Sequence, residues 1–302
     1  MVEPDRPRSY HGHPVIKEPV WKPEVPFYFF AGGMAGASAP LALLAEASGH
    51  DELARRAWAV ALGGVAVSPA LLISDLGVPK RFLNMLRVFK VTSPMSVGSW
   101  LLSAIAPAIG VATLHAWTGR PRAFGPAAKL GAAVLGPPLS TYTAALIANT
   151  AVPAWHEARG TLPFVFAAGS AASAGAVAAA VTPPRHAAPA RRLAIGGAAA
   201  EIVAAQVMER RLGELGRPYR EGSAGRFKRI ALALMAAGAA LLAYPGRRRA
   251  PAVAGGGLVA AGALCERWSV FRAGFQSAAQ PEWTVGPQRE RVKAGAGHGA
   301  AR

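Results

Sequence analysis

Cysteine is almost absent from this sequence: Cys265 is the only one in 302 residues. A chain with one thiol cannot by itself supply the four thiolates of an iron–sulfur cluster. Histidine is nearly as scarce where it would matter. Only His115 falls inside a predicted apolar span, near its end, whereas haem held among helices ordinarily takes paired histidines from facing helices. Charge is also short, at 16% Asp, Glu, Lys and Arg against about 25% in ordinary soluble domains. The charges that exist leave long gaps. None occurs in 25–45, 57–74, 91–119, 130–156, 160–184, 230–246 or 250–265. A helix crossing the hydrocarbon core needs about 20 mostly apolar residues. Seven runs of that order, with an eighth around 193–208 broken only by Glu201, predict an integral membrane protein. An Ala-rich soluble helical protein is the alternative, but such runs would leave it no polar face to show water.

Acidic residues are half as numerous as basic ones, giving a net charge of +17. A nucleic-acid partner is one reading of that excess. The positive-inside rule is a simpler one. The N-terminal tail, the even-numbered connections and the C-terminal tail together hold 22 of the 33 Lys and Arg. That bias predicts an even number of spans with both termini in the cytoplasm, the basic charge serving topology and lipid contact. Residues 1–25 are Pro-rich and charged with no apolar h-region, so the first membrane helix is expected to act as the insertion signal.

Eight helices are predicted, at about 26–46, 54–74, 95–118, 126–150, 161–181, 190–209, 227–245 and 250–272, between a tail of 1–25 and a polar, Gly-rich tail of 276–302. Ser93-Pro94 reads as an N-cap followed by proline at the first helical position. Gly49, Gly77, Gly119 and Gly160 stand near the ends of runs, where left-handed caps are common. Trp58, Trp100, Trp117, Trp155 and Trp268 fall near span ends, as an aromatic belt would. Gly32 and Gly36 form a GxxxG spacing that lets membrane helices approach closely. A phosphate loop would need a preceding strand and a lysine, and neither is present.

One connection is unlike the others. DLGVPKRFLNMLRVFKVTSPMSVGSW, residues 75–100, links the second and third spans. Phe82, Met85, Leu86 and Phe89 recur at helical spacing among Lys80, Arg81, Arg87 and Lys90. That pattern predicts a short amphipathic helix lying in the membrane interface. A basic connection obeying the topology rule would explain the charges but not the apolar stripe.

This stretch resembles the signature of the NrfD-like, polysulfide-reductase membrane-subunit family. Its members show an Asp-Leu-Gly-x-Pro-x-Arg-Phe run, an Asn-Met-Leu-Arg segment, then Ser-Pro-Met-Ser-x-Gly-Ser-Trp. PFYFFAGGMAGA in the first helix, LSTYTAALIANTAVPAW in the fourth and ERWSVFRAGFQSAAQP near the C-terminus agree, in the expected order. The resemblance implies an all-α membrane subunit of eight transmembrane helices in two four-helix bundles, without haem, metal or cluster of its own. It implies exchange of electrons with a quinone, menaquinone in our reading. It also implies docking to a ferredoxin-like 4Fe-4S subunit that wires the anchor to a molybdopterin oxidoreductase.

Candidate residues follow from the resemblance and from chemistry together. Tyr142, mid-span in the fourth helix, matches the family's quinone-facing tyrosine, and a buried phenol needs a partner or ligand in any case. The first helix departs from the family pattern: Glu24 and Phe27 or Tyr28 stand where some relatives carry Asn and His. Ser99, Trp100 and Asn149 are candidates for the surround of the pocket. Asp75 reads either as a proton acceptor or as a cap or ion-pair partner at its helix end. Glu201, a carboxyl in mid-span, reads as a proton-relay group or as a charge neutralised against another helix. Glu46 and Glu266 read as boundary residues in contact with Arg or headgroups. Arg81 and Arg87 could grip an iron–sulfur partner or bind phosphate headgroups. His115 and His156 read as interfacial. The leading function is a quinone-interacting anchor of a multisubunit respiratory oxidoreductase in the cytoplasmic membrane. A small-molecule transporter, or a passive anchor without quinone chemistry, are the alternatives.

Overall fold

The computed structural model describes residues 15–76, 78–244 and 248–286, and among these all regular structure is helical. Ten α-helices follow one another: α1 (Glu24–Ala47), α2 (Asp51–Asp75), α3 (Pro94–Thr118), α4 (Gly125–Ala148), α5 (Pro153–Glu157), α6 (Leu162–Val181), α7 (Ala188–Leu212), α8 (Arg217–Arg220), α9 (Gly222–Ala243) and α10 (Arg249–Ala279). Five of them, α1, α2, α3, α4 and α6, are long and apolar enough to cross a membrane. α7, α9 and α10 are of comparable length but carry more charge. α5 and α8 are single turns in connections.

Short links make sequential helices run in alternating directions. The start of α1, the end of α2, the start of α3 and the end of α4 therefore share one face. α1 packs on α2, α4 and α6, and α3 packs on α2 and α4. α6 also contacts α7 and α10, and α9 lies along α10.

Close backbone approach holds α1 to α4. A Cβ on Gly36 would lie 2.5 Å from the Gly136 carbonyl oxygen, and one on Gly136 would lie 2.2 Å from that of Gly36. Pro40 removes the donor that the Gly36 carbonyl would ordinarily meet four residues on, and that oxygen instead faces Gly136. Ser140 adds an interhelical bond, its Oγ donating to the Gly33 carbonyl at 3.1 Å. Of the GxxxG pair only Gly36 makes this close approach, since a Cβ on Gly32 would meet nothing nearer than 3.7 Å.

Several expectations are corrected. Trp58 and Trp155 are fully buried, so they pack the interior, whereas Trp100 and Trp117 are exposed. Gly49 and Gly119 have positive φ (74° and 72°), but Gly160 does not, because it closes a 3-10 turn rather than an α-helix; Gly77 lies outside the described residues. The connection after α2 is a 3-10 helix, Pro79–Leu86, so Phe89 falls beyond it and stands exposed. α9 begins at Gly222, five residues before its predicted start, since Arg226, Lys228 and Arg229 lie within the helix. α10 runs on to Ala279 because Gln276 is held. Its Oε1 accepts from the Ala224 N–H at 2.8 Å and its Nε2 donates to the Glu221 carbonyl at 3.1 Å.

Candidate functional site

Where α1 begins and α4 ends, the helices part around a narrow cleft of about 40 Å³. Tyr28 and Phe29 of α1, Leu72 and Asp75 of α2, Met95 and Ser99 of α3, and Tyr142 and Leu146 of α4 line it. Met85 from the 3-10 connection and Trp21 from the chain ahead of α1 complete the wall. The surface is mostly apolar, and its thioethers can fit an irregular flat guest.

Start of α3 sets one wall. Ser93 Oγ accepts from the Ser96 N–H at 3.4 Å with Pro94 in the first turn, as the N-cap reading expects. Ser96 Oγ in turn accepts from the Lys90 N–H and donates to the Val88 carbonyl, both at 3.0 Å, folding the connection back on the helix start. One turn on, Gly98 leaves room for the Tyr142 ring. A Cβ there would lie 2.0 Å from Tyr142 Cε2.

Tyr142 meets Tyr28 edge to face, with ring centroids 6.4 Å apart and planes at 69°. Tyr28 is 3% exposed, and its hydroxyl is buried without a hydrogen-bond partner among the described residues. Leaving such a group unpaired costs about 1–3 kcal/mol, so the arrangement favours a guest that brings an acceptor. Ser99 Oγ donates to the Met95 carbonyl at 2.9 Å and keeps its oxygen toward the cleft as an acceptor.

Asp75, the last residue of α2, is held from the N-terminal segment. Its Oδ1 accepts from the Lys22 backbone N–H at 3.0 Å, while Lys22 Nζ donates to the Ser74 carbonyl at 3.1 Å. This grip places Trp21 over the cleft. Trp21 stacks on Trp155 at 5.3 Å, and Trp155 Nε1 donates to the Val270 carbonyl of α10 at 2.7 Å. The N-terminal segment therefore roofs the cleft and ties it to α10. Sequence reading passed over Trp21 and Lys22; the apolar pair Val20-Trp21 just ahead of the first span was the only signal.

The structure brings Tyr28, Asp75, Ser99 and Tyr142 together and leaves the other candidates elsewhere. Glu24 opens α1 with one buried, unpartnered carboxylate oxygen, outside the cleft lining. Trp100 is exposed and meets Phe89 edge to face at 6.2 Å. Asn149 is an exposed C-cap of α4. Arg87 is exposed just after the 3-10 helix, and the Arg81 side chain lies outside the described residues. Glu201 lines a different cavity and pairs with Arg267. Glu46 pairs with Lys129 at 2.7 Å, and His156 Nδ1 lies 3.2 Å from the Ala148 carbonyl. Among the described residues no group of His, Cys, Asp and Glu could hold a metal ion.

The family model described as "Polysulphide reductase, NrfD" matches residues 11–186, more than half of the chain. The chain belongs to the NrfD family. Members of the NrfD family are membrane subunits of polysulphide-reductase-like oxidoreductases, and this NrfD protein is accordingly a multi-pass membrane protein. All the cleft residues named above lie within the NrfD match, whereas α7, α8, α9 and α10 lie beyond it. No curated protein matches the chain.

Proposed function

We propose that this NrfD protein is the quinone-interacting membrane anchor of a multisubunit respiratory oxidoreductase, with the head of a menaquinone seated in the cleft. The observation that carries this reading is the convergence of two phenols, one buried and unpartnered, with a carboxylate in one apolar slot. The residues fit a quinone head. It is a flat ring with acceptor oxygens, and Tyr28 and Tyr142 are donors set among Phe29, Leu72, Leu146 and two methionines. Bound there, the quinone supplies redox chemistry coupled to proton uptake or release.

The chain's own residues hold and orient. The two phenols donate to the ring oxygens, and the apolar walls and the Trp21 roof exclude water. Asp75 Oδ1 is occupied by Lys22, which fixes the carboxyl. Its Oδ2 makes no hydrogen bond among the described residues, which supports Asp75 as the proton acceptor of this reading. Electrons pass between the quinone and a ferredoxin-like 4Fe-4S subunit docked on the face where the cleft opens, with Arg81 and Arg87 as contacts. A molybdopterin subunit carries the substrate half-reaction. In this reading α7, α9 and α10 also span the cytoplasmic membrane, giving eight spans in two four-helix groups with both termini in the cytoplasm.

The test is purification of the complex through a tag on this chain in mild detergent, with mass spectrometry of co-purifying subunits and extracted lipids. An iron–sulfur protein, a molybdopterin protein and a menaquinone are expected. The chain alone, with neither quinone nor redox partner, would overturn the proposal.

A further inference from the structure

α7, α9 and α10 line a second, partly open cavity of about 120 Å³, which shares no lining residue with the cleft. Glu201 and Gln206 of α7, Lys228 of α9 and Glu266 of α10 face it, beside Leu232 and Met235. Glu201 stands midway along α7 and is 1% exposed. Arg267 of α10, also 1% exposed, holds it from one side, with Nη1 3.4 Å from Glu201 Oε1. The guanidinium is itself fixed. Its Nη2 donates to the Phe166 carbonyl at 2.9 Å, and it lies 4.1 Å over the Phe166 ring. α6 closes the remaining side with Gly169, where a Cβ would come 2.0 Å from Glu201 Oε1.

The charges in this cluster do not balance. Glu201 Oε2 is buried with no partner, and Glu266, 5% exposed, makes no hydrogen bond or ion pair among the described residues. Glu209, two turns along α7 from Glu201, forms an ion pair with Lys228. Three carboxylates thus face two cations, Lys228 and Arg267, which leaves one negative charge uncompensated in apolar surroundings. An uncompensated buried carboxylate is strongly unfavourable, and taking up a proton is the usual relief. A larger monovalent cation in the cavity would have to sit against Lys228.

We propose that this cavity is a proton-binding site in which Glu201 and Glu266 together hold one proton, delivered from the membrane face past the Lys228–Glu209 pair and Gln206. The proton leaves a hydronium ion in the cavity and forms an O–H bond on Glu201 Oε2 or on the Glu266 carboxyl, releasing water. Arg267 keeps its charge throughout and orients Glu201. Nothing here depends on the quinone reading of the cleft, and the residues that line the cavity lie beyond the NrfD match, with only the α6 wall inside it.

Dicyclohexylcarbodiimide, which modifies protonated carboxyls in apolar sites, tests this on the full chain in mild detergent with peptide mass mapping. Label is expected on Glu201 or Glu266, lost as the pH is raised, and absent from Glu46, which is paired with Lys129 near a helix end. Wild-type protein suffices for that measurement. The double variant Glu201→Gln with Glu266→Gln is expected to lose the label altogether. Failure to label either residue at any pH at which the chain stays folded would overturn the proposal. So would protection of the label by sodium at constant pH, which would assign the cavity to a metal cation instead.

Discussion

In α1 to α4 the polar groups inside the helices are mostly hydroxyls and phenols, whereas α7, α9 and α10 bury a cluster of charges beside the hydroxyls of Ser269 and Ser277. Ser38, Ser68, Ser99, Thr113 and Ser140 each donate to a carbonyl of their own helix one turn back. The charge pairs on that side, Glu46–Lys129 and Glu52 with Arg55 and Arg56, lie near helix ends. On the other side Glu201, Glu209, Lys228 and Arg267 are set within the helices and find their partners across them, with Glu266 buried beside them. A hydroxyl satisfied within its own helix leaves the space between helices free for an uncharged guest. A buried ion must be met by another element, so it fixes the helices to one another. The first arrangement suits a cleft for a neutral ring, and the second suits a site whose occupant changes charge.

The contrast can be broken most forcefully at Arg267. Replacing it with Ala leaves Glu201 without its cation, and removing one partner of a buried pair costs about 3–5 kcal/mol. Thermal unfolding in detergent should register that loss, and Glu201→Gln in the same background should recover part of it. A change within error would mean that the pair is not closed in the membrane. Gly98→Val comes next. The new side chain must displace the Tyr142 ring, and overpacking of this kind costs about 1–3 kcal/mol. Quinone binding should fall with it while carbodiimide labelling at Glu201 and Glu266 stays unchanged, which separates the two sites. Smallest is Tyr142→Phe, which removes one donor. A net loss of about 1 kcal/mol predicts roughly fivefold weaker quinone affinity by titration, with the fold unaltered. Unaltered affinity would remove Tyr142 from the set of ring contacts.

Much of the helical layout was readable because charge is costly in hydrocarbon, so gaps between charges mark candidate spans. α6 and α3 begin and end within a few residues of those gaps. α9 and α10 were harder, since Lys228 and Arg267 are met by Glu209 and Glu201 of α7 rather than excluded. Arg267 was hidden for the same reason: a Glu-Arg dipeptide at the end of an apolar run looks like a boundary until its partner on α7 is known. The cleft residues Tyr28, Asp75, Ser99 and Tyr142 stood out as polar or aromatic groups in motif positions or near span ends. Trp21 and Lys22 did not, because their contacts are with Trp155 and α2, far away in sequence. Trp58 and Trp155 misled by position alone, as a tryptophan near a span end can face inward as readily as outward. In the connection after α2, helical spacing was right in kind, but tight 3-10 turns left Phe89 outside the pattern.

The decisive measurement is crosslinking of the tagged complex with a photoactivatable menaquinone analogue, mapped by mass spectrometry with and without excess menaquinone. Crosslinks that native quinone competes away are expected around Tyr28, Met85, Met95–Ser99 and Tyr142. Competed crosslinks confined to the cavity of Glu201 and Met235, or none anywhere, would contradict the assignment of the cleft as the quinone site.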